Sequence, residues 1–356
     1  MKKIKFKLAI ISLISIFLVL SSTVFNGSKI LASADSNSAE IVMEVNSKRV
    51  LHERNSRNKK YMASTTKILT AFVIINNCNL TDVVTVTKKT VGIEGSSIYL
   101  EEGEKLTVKE LLYGLMLRSG NDCAETLAVH CSGSVENFAK LMNETAKSLG
   151  ATNSNFINPH GLHNDNHYTT AYDLALISCE AMKNDDFKEI VSTKSVDISF
   201  STRNYKRHLK NKNKMLNEFD GSNGIKTGYT KKAGRCLVSS CIRNGMELVS
   251  VVLNCPPMFE RSKEILTECF EKYSIYKLVD AKNIVGFTRS KNGQYYALTV
   301  KRDVILPLIE AEYNNLKIEY IYDKNVKHEL KNDQIVGSVK IYCENNLLFE
   351  EKIHTI

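Results

Sequence analysis

Three consecutive segments near the middle of the chain constrain its fold more than any other feature. They are Ile225–Thr230, Arg235–Ile242 and Glu247–Leu253, and each alternates apolar and polar residues. This period of two is typical of a β-strand. Gly245 supplies a tight turn between the second and third segments. Strands joined by such short connections pair antiparallel, so we predict one antiparallel sheet.

Segments with a helical period lie on both sides of these strands along the sequence. The most apolar is Ser64–Asn76, which has little polar surface and is expected to be buried on most sides. The other predicted helices are Thr107–Leu117, Asp122–His130, Ser134–Leu149, Thr170–Lys183 and Met258–Tyr273. Short strands are expected at Ala39–Val45 and Arg49–His52, whereas Asn204–Glu218 is basic and expected to be irregular. This mixture predicts an α+β (α/β) fold.

The pattern changes after Leu278. Four further segments alternate apolar and polar residues with turn residues between them, namely Tyr295–Val300, Leu316–Tyr322, Ile335–Tyr342 and Leu347–Ile353. This favours a small all-β domain. A chain of 356 residues accommodates two domains, which we place at residues 35–278 and 279–356.

The N-terminus has the layout of a secretory signal peptide. Four lysines precede the apolar run Leu8–Leu20, and Ala32-Ser33-Ala34 offers a cleavage site. We therefore predict a leader at residues 1–34, with an uncleaved anchor as the alternative. The leader holds five lysines and no acids, which lowers the formal net charge from +9 to +4 for the remainder. The charge thus gives little support to nucleic-acid binding.

Nine cysteines lie beyond the leader, and none forms a C-x-x-C pair. A structural zinc site is therefore not expected. Several cysteines fall within apolar patterns, so we predict buried thiols rather than a disulfide scaffold.

The sequence Ser64-Thr65-Thr66-Lys67 begins the most apolar helix. Residues three apart share a helix face, so Lys67 can contact the Ser64 hydroxyl. A serine needs a nearby base to become a nucleophile, and a lysine serves if burial and other cations lower its pKa. The simpler alternative is a capping serine followed by a surface lysine.

Two more short motifs follow in order. Ser119-Gly120-Asn121 interrupts two helical patterns, and Gly120 permits a turn that lets its neighbours face inward. Lys226-Thr227-Gly228 lies on a predicted strand, where a glycine lets an extended peptide approach and pair along the edge. Taken singly, the alternatives are a helix cap at Asn121 and a strand with a glycine kink.

The three motifs in this order are those of penicillin-binding proteins and β-lactamases. From about Ala39 onward the chain resembles the D-alanyl-D-alanine carboxypeptidases of the low-molecular-mass penicillin-binding proteins. The stretches that carry the resemblance are Ala63–Ala71, Gly95–Asp122, Asn158–Leu162, Tyr168–Ala175 and Gly221–Gly234. The resemblance implies a β-lactamase/transpeptidase-like catalytic domain, with an antiparallel sheet between helical layers, and a C-terminal β-sandwich. It implies acyl transfer on peptidoglycan stem peptides ending in D-Ala-D-Ala, with β-lactams as covalent inhibitors and no cofactor or metal.

The resemblance also implies roles for individual residues. Ser64 would be the nucleophile, Lys67 its base and Ser119 a proton relay. Substrate would be bound by Asn121, Lys226, Thr227, Gly228, Tyr229, Thr230 and Arg261. The amides of Ser64 and Tyr229 would form an oxyanion hole, and the Arg261 guanidinium would receive the terminal carboxylate.

Two features depart from the family. Asn223 stands where relatives commonly carry Asp, which removes a charge near the site. Relatives often end in an amphipathic membrane helix, whereas this chain reaches Ile356 directly after its last predicted strand. We therefore expect an exported protein, secreted or associated with the envelope, without a C-terminal anchor.

Other functions remain open at this stage. A class A β-lactamase would need a water-activating glutamate, for which no E-x-x-x-N pattern is found after the second motif. A serine esterase would not need the peptide-binding strand. A penicillin-acylated sensor or wall-binding module with little turnover is a further alternative.

Two further segments, one containing three histidines and one strongly basic, have alternative interpretations. His160, His163 and His167 could approach one another, but loop-stabilising hydrogen bonds are favoured over a metal site. The basic run 203–214 is expected to be a solvated loop, with peripheral contact to an anionic wall or membrane as the alternative.

Overall fold

A five-stranded antiparallel sheet forms the centre of the first part of the protein. The computed structural model describes residues 37–356. Its strands are β1 (Ala39–Glu44), β2 (Val50–Arg54), β7 (Ser222–Thr230), β8 (Gly234–Arg243) and β9 (Met246–Leu253). Their order in the sheet is β2-β1-β9-β8-β7. The three consecutive strands expected from the sequence are β7, β8 and β9.

The turn between β8 and β9 has the conformation that hairpins prefer. Asn244 and Gly245 both have positive φ, at 49° and 78°. This matches the twist of the flanking strands. The hairpin pairs Leu237 with Val252, which brings the end of β9 level with the motif on β7.

Helices cover both faces of this sheet. Ile41 and Val251 belong to one core with the helix that follows Ser64, whereas Val42 and Val252 belong to another with the closing helix. On the first face lie α1 (Lys67–Asn77), α2 (Val108–Leu117), α3 (Asn121–Ser132), α4 (Val135–Ser148), α5 (Ala171–Ala181) and α6 (Asp185–Ser192). On the second lie α7 (Met215–Glu218) and α8 (Met258–Lys272). The prediction of a sheet between helical layers is confirmed.

Four short strands form two hairpin-like pairs outside the central sheet. They are β3 (Val83–Thr85) with β4 (Lys105–Thr107), and β5 (Ser195–Ile198) with β6 (Arg207–Lys210). The segment 204–218 is therefore less irregular than expected, because it contains β6 and α7. The four-residue pairing between β5 and β6 spans a long connection, which local periodicity does not reveal.

The C-terminal part is built mainly of strands, as predicted. Its strands are β10 (Ser274–Val279), β11 (Gly286–Arg289), β12 (Tyr295–Val300), β13 (Val304–Leu308), β14 (Leu316–Tyr322), β15 (Ile335–Cys343) and β16 (Asn346–Thr355), with the short helix α9 (Glu310–Tyr313). Five form a sheet in the order β11-β12-β16-β15-β14, and β10 pairs with β13. A separate core lies between them, with Leu298 and Ile341 fully buried. The domain boundary near residue 279 stays a prediction.

No helix within residues 37–356 is long and apolar enough to cross a membrane. The predicted leader at residues 1–34 lies outside the described residues.

Candidate active site

Ser64 lies at the junction between a 3-10 turn and helix α1. The turn spans Ala63–Thr66, and Lys67 is the first residue of α1. The continuous helical winding places both side chains on one face. The Lys67 Nζ atom lies 3.1 Å from the Ser64 Oγ atom, so an amine and a hydroxyl are in hydrogen-bond contact.

Lys67 is fully buried and has two further hydrogen-bond partners. Its Nζ donates to the side-chain oxygen of Asn121 and to the backbone oxygen of His160, each at 2.7 Å. Burial lowers the pKa of Lys67 well below its ordinary value, and repulsion from Lys226 lowers it further. A neutral amine has two hydrogens and one lone pair. Two hydrogens satisfy the two carbonyl groups, so the lone pair remains to accept the Ser64 proton.

The second motif turns between α2 and α3, but not in the way the sequence suggested. Positive φ occurs at Ser119, with 64°, whereas Gly120 has −59°. This left-handed conformation is uncommon for a residue with a side chain. The buried Ser119 hydroxyl has no hydrogen-bond partner among the described residues, so it is available to exchange a proton with a bound substrate.

Asn121 makes two hydrogen bonds within the protein. Its amide nitrogen donates to the backbone oxygen of Glu94 at 2.5 Å, and its amide oxygen accepts from Lys67. We expected this amide to contact substrate. The Lys67 contact shows that Asn121 holds the lysine. The two bonds use only one of the two N–H donors of the amide, so its contact with substrate stays a prediction.

Strand β7 carries the third motif along an edge of the sheet. Lys226 is buried, and its Nζ donates to the Thr227 backbone oxygen at 3.0 Å. Burial lowers the pKa of Lys226 to about 7, and nearby Lys212 contributes. Because β7 is the last strand of the sheet, no strand of the described chain pairs with its other edge.

Gly228 lies against the turn that carries the nucleophile. A Cβ atom at this position would lie 3.1 Å from both the Met62 oxygen and the Ser64 nitrogen. A Cβ atom would therefore require the turn that carries Ser64 to shift by a few tenths of an ångström. The close approach brings the backbone amide of Ser64 next to Gly228, the residue before Tyr229.

The remaining β7 residues differ in their availability. The Tyr229 side chain is exposed, and Thr227 is partly exposed. The Thr230 hydroxyl accepts from the Ala233 amide at 3.0 Å, which closes the turn between β7 and β8. Thr230 therefore has a structural contact that the sequence did not suggest.

The sequence and the fold match known proteins along almost the whole described chain. Residues 28–256 match the D-alanyl-D-alanine carboxypeptidase family, and residues 273–355 match the C-terminal domain of penicillin-binding protein 5. The chain belongs to the D-alanyl-D-alanine carboxypeptidase family.

Individual relatives show how far this carboxypeptidase resembles its family. D-alanyl-D-alanine carboxypeptidase DacF of Bacillus subtilis is 31% identical over 324 residues, which cover 88% of this chain and 83% of that protein. DacC of Escherichia coli is 32% identical over 319 residues, covering 85% and 78%. The crystal structure of penicillin-binding protein 5 from Haemophilus influenzae is 28% identical, with a TM-score of 0.76 and coverage of 89% and 96%.

The carboxypeptidase does not present Arg261 to its catalytic cluster. Two guanidinium nitrogens bind Glu40, at 3.1 and 2.9 Å, and the third binds Glu264 at 2.7 Å. Glu40 alternates with Val42, so both face the layer of α8, opposite the face that packs α1. The expectation that Arg261 receives the substrate carboxylate is corrected, because this guanidinium serves a buried ion pair on the other side of the sheet.

Lys212 is a site residue that sequence reasoning missed, because it lay within a run interpreted as a solvated loop. Its Nζ donates to the Ser96 hydroxyl at 3.3 Å. Its charge lowers the pKa of both Lys67 and Lys226.

Two other members of the basic run form ion pairs within the carboxypeptidase. Arg203 binds Glu101 at 2.5 Å, and Arg207 binds the buried Glu104 at 2.7 Å. These ion pairs fasten the run against the segment 99–104, so they weaken the alternative that it contacts an anionic surface.

The three loop histidines have separate partners. His160 bonds Glu125 at 3.3 Å, His163 bonds Asp165 at 3.2 Å, and the buried His167 bonds the Thr66 hydroxyl at 2.8 Å. Burial lowers the pKa of His167 to about 3, so it stays neutral. Within residues 37–356 no group of three potential ligands could hold a metal ion.

Proposed function

We propose that this carboxypeptidase removes the terminal D-alanine from peptidoglycan stem peptides through an acyl-enzyme on Ser64. The observation that carries the proposal is the buried Lys67, whose two donors are used by Asn121 and His160 and whose lone pair is left for the Ser64 hydroxyl. No carboxylate hydrogen-bonds Lys67 directly among the described residues, so the neutral amine is favoured.

In the first half of the reaction the Ser64 oxygen attacks the carbonyl carbon between the two D-alanines, while its proton passes to the Lys67 amine. The amides of Ser64 and Tyr229 stabilise the oxyanion. As the C–N bond breaks, the leaving amine takes a proton that the Ser119 hydroxyl relays from Lys67. Free D-alanine leaves, and an ester remains on Ser64.

In the second half a water molecule attacks the ester carbonyl and gives its proton to Lys67. Collapse of the intermediate breaks the bond to Ser64, whose oxygen recovers the proton. The shortened peptide then dissociates. A β-lactam enters by the same attack, and its ring nitrogen is the leaving group that stays attached, so β-lactams are expected to act as covalent inhibitors.

Two further features support peptide binding. The free edge of β7 can pair with an extended stem peptide by strand addition. Lys226 and Lys212, rather than Arg261, supply positive charge for the terminal carboxylate, because both act electrostatically on the cluster.

To test the proposal, a pentapeptide ending in D-Ala-D-Ala is incubated with wild type and with Ser64→Ala, and the release of free D-alanine is measured over time. We expect many turnovers in wild type, their loss after penicillin treatment, and neither release nor penicillin labelling in the variant. Release of one equivalent without turnover would instead indicate the sensor module. Catalytic hydrolysis of penicillin would indicate a β-lactamase, and penicillin labelling of Ser64→Ala would refute the nucleophile.

We also propose that the leader exports the protein to the cell envelope, which is where its substrate lies. The leader sequence supports this, as does the family of envelope enzymes. N-terminal sequencing of the protein recovered outside the cytoplasm tests it. A start at Asp35 supports cleavage after Ala34, an intact N-terminus in the membrane fraction supports an anchor, and retention in the cytoplasm contradicts export.

A further inference from the structure

A cavity of about 450 Å³ lies beyond the end of β7. Three segments of the chain line it, namely the stretch that leads to Ser64, the turn between β7 and β8, and the loop before α5. Its charged and aromatic lining residues are Lys59, Lys60, Tyr61, Asp165, Tyr168 and Lys232. A cavity of this size can hold part of a peptide or another small ligand.

The three lysines give the cavity an excess of positive charge. Lys59 and Lys232 are exposed, and Lys60 is half-buried. None of the three forms an ion pair with a carboxylate of the described residues. The Lys59 Nζ atom lies 4.2 Å from the centre of the Tyr168 ring, and the Lys60 Nζ atom donates to two oxygens of Asn37, at 2.7 and 2.6 Å. An ammonium group has three hydrogens, so Lys60 keeps one for a ligand.

The carboxylate that lines the same cavity already has partners. Asp165 accepts from the Tyr61 hydroxyl at 3.2 Å and lies 3.2 Å from the His163 Nε2 atom. Three ammonium groups therefore accompany one carboxylate that is bonded to neighbouring side chains, and a second carboxylate can bind there with a favourable charge.

The direction of a substrate along β7 leads its upstream residues to this cavity. Lys226 supplies positive charge for the terminal carboxylate, whereas Gly228 lies next to the backbone amide of Ser64. The leaving D-alanine is therefore on the Lys226 side, and the chain before the cleaved bond continues past Gly228 toward Thr230. These last two residues are about 7 Å apart in an extended strand. The Thr230 hydroxyl accepts from the amide of Ala233, which belongs to the cavity wall.

We propose that this cavity binds a carboxylate that the stem peptide carries upstream of D-Ala-D-Ala, and that Lys59 and Lys232 recognise it. This inference rests on the proposed function, because it uses the same position of the acyl group on Ser64.

Two upstream residues of a stem peptide can supply the carboxylate. One is the α-carboxylate of a γ-linked D-glutamate at the second position, and the other is the side-chain carboxylate of a diaminopimelate at the third position. The third and second residues come one and two positions before the D-alanine that acylates Ser64. Both carboxylates are therefore within reach of the end of β7.

The experiment compares kcat/KM for the release of free D-alanine from three pentapeptides that contain D-glutamate and diaminopimelate. The first has both carboxylates free, the second has an amide in place of the D-glutamyl carboxylate, and the third has an amide in place of the diaminopimelyl side-chain carboxylate. The tripeptide diacetyl-L-Lys-D-Ala-D-Ala has no upstream carboxylate, so it tests the proposed function separately.

Four variants test the lysines. Lys59→Met and Lys232→Met each remove one charge at similar side-chain length, and Lys232→Arg retains the charge. Lys231→Met is the matched control, because Lys231 is an exposed lysine of the same turn that does not line the cavity. The measured quantity in each variant is its preference for the free acid, which is the ratio of kcat/KM for the first pentapeptide to kcat/KM for each amide.

In wild type at low salt we expect one of the two amides to lower kcat/KM about tenfold, since each exposed lysine contributes about threefold. The amide that has this effect identifies the source of the carboxylate. The preference should fall to about threefold in Lys59→Met and in Lys232→Met, stay in Lys232→Arg and Lys231→Met, and weaken as salt is added.

Three results would overturn the proposal while the proposed function stands. They are equal kcat/KM for the three pentapeptides in wild type, a full preference in both Lys59→Met and Lys232→Met, and an equal loss of preference in Lys231→Met. Failure to release D-alanine from any substrate, the tripeptide included, would refute the proposed function and this inference with it.

Discussion

Replacement of Asn121 by aspartate tests the protonation state of Lys67 most severely. Aspartate has nearly the shape of asparagine, but it would place a carboxylate oxygen where the amide oxygen now lies, 2.7 Å from the Lys67 Nζ atom. A negative charge there favours the ammonium form of the lysine. An ammonium has no lone pair to accept the Ser64 proton, so acylation should slow.

The size of the effect follows from the distance. At 2.7 Å, a carboxylate and an ammonium attract by about 6 kcal/mol at an effective dielectric constant of ~20. If the cost of burying the carboxylate removes about half of this, about 3 kcal/mol remains, which corresponds to a factor of ~100 in the proton equilibrium. The low-pH side of the pH–rate profile for acylation, its acid limb, should therefore move up by about 2 pH units. At a pH on the wild-type acid limb the rate should fall by about 100-fold.

The assay is the rate of covalent labelling by penicillin between pH 5 and pH 10, measured for wild type, Asn121→Asp and Asn121→Ala. The alanine variant removes the same acceptor without adding charge, so it should lose rate with little shift of the limb. Circular dichroism and Tm are needed because the second carboxylate oxygen of Asn121→Asp would face the Glu94 backbone oxygen. The reasoning is refuted if folded Asn121→Asp labels at the wild-type rate at a pH on the wild-type acid limb, or if its loss is equal at every pH.

The remaining predictions concern other charged and polar groups. Arg261→Ala should lower the free energy of unfolding by about 3 kcal/mol, because it removes a partner of the fully buried Glu40 carboxylate. The KM for the pentapeptide should stay unchanged. A selective rise in KM would instead support a role of Arg261 in binding substrate. Burial opposes the ionisation of Glu40, but hydrogen bonds from His52 and Arg261 overcome it and hold the pKa of Glu40 at about 2. In urea unfolding the contribution of this carboxylate should therefore be complete above about pH 4.5 and decline as the pH falls toward 2; a contribution that stays constant over this range would contradict it. Asn223→Asp should cost about 1–3 kcal/mol in the same assay, because it replaces the 2.8 Å bond to Glu247 with two carboxylates; unchanged stability would contradict this. Lys212→Met removes an exposed cation that lowers the pKa of Lys67. The acid limb of acylation should therefore shift upward by about half a pH unit at low salt. A downward shift would contradict this prediction.

The departure at Asn223 now has a physical account. The sequence suggested only that a charge near the active site was missing. In the structure the Asn223 amide donates to Glu247, which also pairs with Lys188 at 3.2 Å. An aspartate at this position would face that carboxylate, so asparagine is the compatible residue.

Sequence patterns predicted the elements well because their signals are local. The alternation in β7, β8 and β9 identified the sheet, and the i, i+3 spacing brought Ser64 and Lys67 together. The partners of a side chain across the fold were harder to predict. Arg261 has the right sequence position for the family role, but the register of β1 places Glu40 against it on the far face of the sheet.

Roles that depend on a neighbour's backbone could not be predicted either. Gly228 was interpreted as room for substrate, yet its space is also needed by the turn that holds Ser64. The contacts of Asn121 with Glu94 and Lys67 were not predicted, because no local pattern brings these residues together. Such contacts are set by tertiary packing.

The most direct measurement of the central claim is the titration of Lys67 itself. Lysines labelled with ¹³C at the ε carbon can be followed by NMR from pH 5 to pH 11, with Lys67→Arg used to assign the signal. We predict that Lys67 titrates well below the ordinary value of 10.5, and that its transition coincides with the acid limb of Ser64 acylation. A Lys67 signal that titrates at 10.5 or above would show an ammonium at neutral pH and contradict its assignment as the base.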